Sequence, residues 1–331
     1  MGRERRVIPL LFEFRGALTA LALVLCGVLV LVSVNLGIPG QSLLQSLRFH
    51  IAAALLVVVV LLFFGGAWAR GVLFLVALAL SAGEGGLIVY RQQDARAAVA
   101  SQPGKPLLRM ISFNLLQTNL ANGRALADFI KGSGADLVLL MESGPITPFL
   151  DELSEVYPYR VGCEHGWCEV RLLSRTPLTE TSMSSLSQVW RDRLITAKTV
   201  IGGETVSIVG AHMVKPYFDE FAEEEAMRLA SVVRANQGPL ILAGDFNATA
   251  WSDNIDRLAR AGDLIPGPAY PATWPVRLGP LGVPIDNMWT RGPLVISSIR
   301  SLDDTMGSNH RGLIAEISLA TSAPETPAPA Q

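Results

Sequence analysis

Residues 16–36 carry no charged side chain. At about 1.5 Å of rise per residue, a helix of that length spans the ~30 Å hydrocarbon core of a bilayer, so the run predicts a transmembrane helix. Gly37-Ile38-Pro39-Gly40 then breaks it. A second uncharged run covers 51–69, and a third, 71–90, is interrupted by Glu84 among Gly83, Gly85 and Gly86. An ionisable residue inside a span is a functional hypothesis by default. The plainer reading of Glu84 is that it sits toward one end of its span, within reach of the headgroups.

A basic N-terminus before an apolar run is also the pattern of a signal peptide. The first run is longer than a signal core and two more follow it, so the expectation is a retained anchor of about three helices over 1–91. Arg3, Arg5, Arg6 and Arg15 precede the first run, Arg48 lies in the loop after it, and Arg70 separates the second from the third. The positive-inside rule then favours a cytoplasmic N-terminus. Three crossings would make this a multi-pass protein of the cell (inner) membrane with its large domain periplasmic or otherwise extracytoplasmic. Arg91 and Arg96 oppose that orientation, and failure of the third run to cross would invert it.

Beyond the anchor the composition changes. Residues 1–100 hold 8 Lys/Arg against 4 Asp/Glu, and residues 101–331 hold 19 against 25. An acidic remainder argues against general binding of nucleic acid, which depends on neutralising phosphates with Lys and Arg. Residues 92–106, with Ser101, Pro103, Gly104 and Pro106, read as a linker, and the Ala/Pro/Thr-rich 320–331 as a disordered tail. No internal repeat is present in the sequence.

Of the three cysteines, Cys26 reads as a small buried apolar residue. Cys163 and Cys168 bracket Glu164-His165-Gly166-Trp167 in a stretch, 159–173, that reads as two short strands and a turn. A disulfide across it is plausible, two free thiols are the alternative, and a metal site with His165 lacks the usual paired ligand spacing. A disulfide would fit an oxidising compartment.

In the soluble part, apolar or β-branched runs repeatedly end in a polar residue. Residues 108–114 end in Asn114, 136–142 in Glu142 after a helical stretch at 123–131, 205–212 in His212, and 239–247 in Asp245-Phe246-Asn247. Ile285-Asp286 and Ser308-Asn309-His310 come before a last strand at 313–319. Strands that deliver polar groups at their ends build a site on rigid backbone at one edge of a sheet. Residues 218–235 read as a helix, and the acidic run 223–225 as its solvated start. A hard divalent ion such as Mg2+ takes oxygen ligands, for which Glu142 and Asp245 are suitable. A His positioned by a carboxylate, as His310 by Asp286, could activate water or stabilise charge at a phosphoryl group.

This order of motifs resembles the endonuclease/exonuclease/phosphatase superfamily. Gly244-Asp245-Phe246-Asn247-Ala248 is the most specific piece, and the likeness covers 107–319. The resemblance implies an α/β fold, a four-layered sandwich of two packed, mostly antiparallel sheets flanked by helices, following the transmembrane helices. It implies Mg2+ (or Mn2+) held by Glu142 with support from Asn114. Asp245 and Asn247 would position the nucleophile or the phosphate, His310 would be the catalytic imidazole oriented by Asp286, and His212 would contact phosphoryl oxygens. The family's last motif is usually Ser-Asp-His, so Asn309 stands in a metal-associated position without its charge, and Asn287 replaces the His that commonly follows Asp286. Two segments, 247–252 and 272–275, resemble stretches of membrane-anchored bacterial members, which makes Trp251 and Trp274 candidates to line the cleft; core or rim placement is the plainer alternative.

The expected activity is therefore hydrolysis of phosphodiester or phosphomonoester bonds at a membrane, with a lipid headgroup or nucleic acid as the partner. A nuclease acting on extracytoplasmic DNA is the enzymatic rival. A degenerate domain that binds without turnover, motivated by Asn309, is the non-enzymatic one, and a sensing or transporting role for the helices rests on Glu84 alone.

Overall fold

A computed structural model describes residues 4–38, 40–99, 104–163 and 166–320. Its first part is helical: α1 (Glu4–Ser33), the short α2 (Gln41–Ser46), α3 (Arg48–Phe64) and α4 (Trp68–Val99). Leu18, Ala22 and Leu29 of α1 pack with Leu55, Val58 and Leu62 of α3 and Phe74 of α4. Leu23, Val24, Val57, Leu73 and Leu80 nevertheless point outward and are exposed. Helices apolar on every side are what a membrane span requires.

Two helices are long and apolar enough to cross a membrane, Leu11–Ser33 and Trp68–Val99, and α3 is shorter at 17 residues. The second apolar run stops earlier than its composition implies. Gly66 takes a left-handed φ of 75°, and the amides of Gly66 and Ala67 turn back to the carbonyls of Phe63 and Leu62, ending α3 at Phe64. Glu84 pairs with the buried Arg48 at 3.0 Å, and Arg48 also donates to the carbonyls of Val32 and Ser81. The expected linker needs correcting. Helix α4 continues through residues 92–99, so the chain does not loosen at Gln92. Residues 100–103 and the proposed tail beyond Ala320 lie outside the described residues, as does His165.

The remainder alternates strands and helices: β1 (Leu108–Asn114), α5 (Gly123–Gly132), β2 (Leu137–Met141), α6 (Leu150–Leu153), β3 (Tyr159–Val161), β4 (Val170–Ser174), β5 (Thr179–Ser184), β6 (Leu194–Ile201), β7 (Glu204–His212), α7 (Asp219–Ala235), β8 (Leu240–Asp245), α8 (Asp253–Ala261), β9 (Ile265–Pro266), β10 (Asp286–Arg291), β11 (Leu294–Ser301) and β12 (Leu313–Leu319). They form two six-stranded sheets, ordered β11-β12-β1-β2-β4-β3 and β5-β6-β7-β8-β10-β9. Each is antiparallel except for one parallel pair, β1–β2 or β7–β8, whose crossovers contain α5 and α7. The inner faces meet through Met110, Leu139 and Leu172 from one sheet and Ile195, Ile208, Ile241 and Met288 from the other. Leu126 and Ile130 of α5 cover the first sheet, and Leu229, Val233, Ile255 and Leu258 of α7 and α8 cover the second. The result is the four-layered α/β sandwich expected from the motifs.

Candidate active site

Strand register brings the polar ends together. Asn114 lies beside Met141, one residue before Glu142; His212 pairs with Asp245, and Asp245 with Asp286. Gly244 makes the β7–β8 approach possible. Its φ is 148°, and a Cβ there would collide with the Ala211 carbonyl, so only glycine fits before Asp245. After the strands, Glu142 (φ 51°) and Asn247 (φ 49°) adopt left-handed backbone, which turns the chain sharply at the site.

Asp245 is the hub and is 1% exposed. Its Oδ1 accepts the Asn247 amide at 2.9 Å, and its Oδ2 accepts Asn114 Nδ2 at 3.0 Å. Both His212 Nε2 and His310 Nε2 stand 3.8 Å from that same Oδ2. Asn114 Nδ2 also reaches Glu142 Oε1 at 3.3 Å, and Glu142 Oε2 accepts the Gln117 amide at 2.7 Å. His310 Nδ1 is 2.9 Å from Asp286 Oδ2, while the Ser308 hydroxyl donates to the Asn114 carbonyl and so ties the 308–310 turn to β1. Asn247 Nδ2 donates to the Met213 carbonyl.

Burial sets the electrostatics. It pushes the Asp245 carboxyl upward, reinforced by Asp286 and opposed by His310, His212 and Asn114. Burial alone would depress His310, yet Asp286, Asp245 and Glu142 outweigh it and hold the imidazole at about 9.

Two residues that sequence reasoning missed complete the arrangement. Glu169 accepts from His212 Nδ1 at 3.0 Å through one oxygen and from Arg193 at 3.0 Å through the other. Burial raises its carboxyl, but the His212 bond and Arg193 together bring it below the ordinary range. Glu169 precedes β4 and Arg193 precedes β6, and both strands run antiparallel to a neighbour that ends at the site. Both therefore sit at strand starts, where no apolar run leads up to them in the sequence. Cys163 and Cys168 are disulfide-bonded with Cα atoms 5.5 Å apart, directly before Glu169.

Other expected residues fall elsewhere. Trp251 is 8% exposed and packs against Phe49 of α3 and Tyr270, so it faces the helical part and not the cleft. Trp274 is half-exposed on the loop before β10, beside Thr273, whose hydroxyl accepts the Asp286 amide. Asn309 is exposed, and its carbonyl accepts the Val276 amide. Asn287 is buried and donates to the Ala248 and Pro284 carbonyls, a structural use of the position. The acidic run at 223–225 is not wholly solvated: Glu225 is fully buried, accepting the Ser187 hydroxyl and the Val214 amide.

A divalent cation fits this donor set. Asp245, Asp286 and His310 each offer a ligand atom within 4.8 Å of the others, and Asp286 Oδ1 is buried without a hydrogen-bond partner. Hard oxygen donors in excess of nearby positive charge call for such an ion.

The family model described as Endonuclease/Exonuclease/phosphatase family matches residues 111–310. No curated protein matches the chain in sequence. Among solved structures, an endonuclease/exonuclease/phosphatase from Beutenbergia cavernae aligns at 19% identity over 65% of this chain and 72% of its own, with a TM-score of 0.54. D. rerio TDP2 complexed with single strand DNA product aligns at 18% identity over 64% and 98%, with a TM-score of 0.51. Sphingomyelinase C from Streptomyces griseocarneus aligns at 18% identity over 64% and 99%, with a TM-score of 0.50. At such identities these likenesses establish the shared fold.

Proposed function

The chain belongs to the endonuclease/exonuclease/phosphatase family, and on that premise we propose that it is a membrane-anchored, divalent-metal-dependent phosphoesterase. The observation that carries this reading is the buried cluster of Asp245, Asp286 and His310, linked through Asn114 to Glu142. Glu142 with Asn114, and the Asp245 and Asp286 carboxylates beside them, would hold Mg2+ or Mn2+. Such an ion supplies charge neutralisation and polarisation of a phosphoryl oxygen.

The chain's own residues then have separable tasks. His310, oriented through Nδ1 by Asp286, presents Nε2 toward the phosphoryl group and the attacking water. Asp245 and Asn247 orient the attacking water or the phosphate. His212, fixed through Nδ1 by Glu169, presents Nε2 to the same space and contacts phosphoryl oxygens.

The apolar helices support retention in the inner membrane as a multi-pass anchor. Helices α1, α3 and α4 run as successive antiparallel neighbours, and Arg15 and Arg70 lie at the end opposite Arg48 and Glu84. With the arginine-rich N-terminus cytoplasmic, the catalytic domain would be extracytoplasmic. The names of the aligned structures, one with a DNA product and one a sphingomyelinase, keep nuclease and lipid-directed activity both in view. Asn309 favours the rival reading of a domain that binds without turnover.

The full-length protein, assayed with Mg2+ or Mn2+ on bis(p-nitrophenyl) phosphate beside His310→Ala, tests the proposal. A rate well above background in the wild type and a large loss in the variant are expected. Equal rates near background for both would refute enzyme activity.

A further inference from the structure

The catalytic edge of the second sheet is built against the helical anchor. Strands β7, β8 and β10 are neighbours there, and each carries a loop at the site. The middle loop, after β8, holds Asp245 and Asn247 and then docks on the helices. The Thr249 amide donates to the Ser46 hydroxyl at 3.1 Å, Gln92 Nε2 donates to the Ala250 carbonyl at 2.8 Å, and Gln45 Nε2 donates to Asp253 at 2.7 Å. The Trp251 ring stands edge-on to Phe49 at 5.0 Å.

The two outer loops carry exposed apolar side chains. After β7 come Tyr217 and Phe218, 52% and 40% exposed, with the Trp190 ring packed at a tilt against Phe218. Before β10 come Trp274, Leu278 and Leu281, and Leu281 is 72% exposed. Single exposed apolar residues need no explanation, but a set gathered along one edge marks a contact surface.

That edge lies at the level where the anchor becomes apolar. His50 Nε2 donates to the Leu281 carbonyl at 2.8 Å, and His50 immediately precedes the uncharged run of α3. On the other flank, Asn35, Ile38 and Gln41 of the α1–α2 connection face Glu220 and Glu223 of α7 across a cleft, just after Tyr217 and Phe218. The buried Arg48 and its partner Glu84 mark the same polar boundary.

Chain length bounds the distance to the chemistry. Asp286 is five residue steps from Leu281, at most about 18 Å even if fully extended, and Trp251 is four steps from Asn247, at most about 14 Å. Headgroups occupy the outer ~5–7 Å of a bilayer on each side. The acidic domain offers little to a long polyanion.

We propose that the substrate is a phosphoester in the headgroup of a membrane lipid, taken from the leaflet at the Arg48 end of the helices. Tyr217, Phe218, Leu278 and Leu281 rest in that leaflet's interface on either side of the site. The inference rests on the phosphoesterase reading above and adds the substrate class. It makes the anchor a positioning device, holding the site at fixed height over its substrate.

The test uses the full chain reconstituted into vesicles of phosphatidylethanolamine, phosphatidylglycerol, cardiolipin and sphingomyelin, with Mg2+. Headgroup or phosphate release is measured beside turnover of soluble bis(p-nitrophenyl) phosphate. Wild type should cleave both. Leu278→Ser/Leu281→Ser, altered only at exposed positions, should lose at least tenfold on vesicle lipid and less than twofold on the soluble ester. An environment-sensitive fluorophore on Leu281→Cys should be quenched by lipids spin-labelled near the headgroup. Soluble-ester turnover without lipid release, faster cleavage of plasmid DNA than of lipid, equal lipid rates in the double variant, or an unquenched fluorophore would each overturn the lipid assignment. Failure on both esters would overturn the phosphoesterase reading itself.

Discussion

Glu169 holds His212 in one orientation and one tautomer, and replacing it isolates that contribution. Its carboxylate spans His212 Nδ1 and Arg193, both at 3.0 Å, in a pocket that leaves its side chain 10% exposed. Glu169→Gln preserves the volume but offers one acceptor where two donors converge. If the amide oxygen serves His212, the amide nitrogen faces the Arg193 cation; the reverse leaves His212 Nδ1–H unmatched. A hydrogen bond to a charged group is worth about 1.5–3 kcal/mol, which at ~1.36 kcal/mol per decade converts to a roughly 10- to 150-fold loss in kcat. Soluble bis(p-nitrophenyl) phosphate is the appropriate substrate, with KM changed far less because Glu169 acts through His212. The carboxyl lies below the ordinary range in the native protein, so the deficit should persist across neutral pH. Arg193→Met in the same background should cost less than the product of the two single losses, since both act on one carboxylate. A Glu169→Gln rate within twofold of wild type, or strictly multiplicative losses, would refute the assignment.

Chelation with EDTA should abolish turnover, with recovery in Mg2+ or Mn2+, and ion addition should raise the melting temperature because Asp245 and Asp286 belong to one buried cluster; Asp286→Asn should shrink that thermal shift. Burial raises the Glu225 carboxyl against the Val214 amide and the Ser187 hydroxyl. The folded state therefore keeps a proton that the unfolded chain has released, and stability from this group falls as pH rises from the usual carboxyl range through the raised value. The melting temperature of wild type minus that of Glu225→Gln should decline from about pH 4 upward, and a gap that widens would contradict this. Arg48→Met removes the Glu84 pair and the donors to the Val32 and Ser81 carbonyls, at a cost of about 1–3 kcal/mol. Glu84→Gln leaves the buried Arg48 guanidinium without its counter-charge and should cost at least as much in the same detergent melts.

Four parts of the site that were legible in the sequence share one physical property, being local to a strand end, whereas Asp286, which opens β10, and His310, in the turn before β12, were legible through the ordered motifs. Asn114, Glu142, His212 and Asp245 terminate apolar runs whose alternation or length announces a strand, and Gly244 advertises the close approach that precedes the acid. The two-sheet sandwich was legible only as what the family resemblance of the ordered motifs implies. Glu169 and Arg193 were illegible because their value depends on antiparallel pairing, which carries a strand's first residue to the edge where its neighbour's last residue lies. Glu225 was illegible for a related reason. Three consecutive acids at a helix start read as solvated, and only packing of α7 under the 213–218 loop shows that the third is turned inward.

The reassignment of Trp251 has the largest consequence for function. The resemblance of segment 247–252 to membrane-anchored members made it a candidate for the cleft wall, six residues after Asp245. In the fold those six residues are the length needed to leave β8, turn at the left-handed Asn247 and reach Phe49 on α3. One loop thus carries both the hub of the site and its fixation to the anchor. The continuation of α4 through residues 92–99 supplies the second fixation, because Gln92, Gln93 and Arg96 each bond to the sandwich. A flexible tether would let the site sample every orientation over the bilayer. Attachments from α2, α3 and α4 hold it in one, a constraint that has a use where the substrate is confined to the membrane plane.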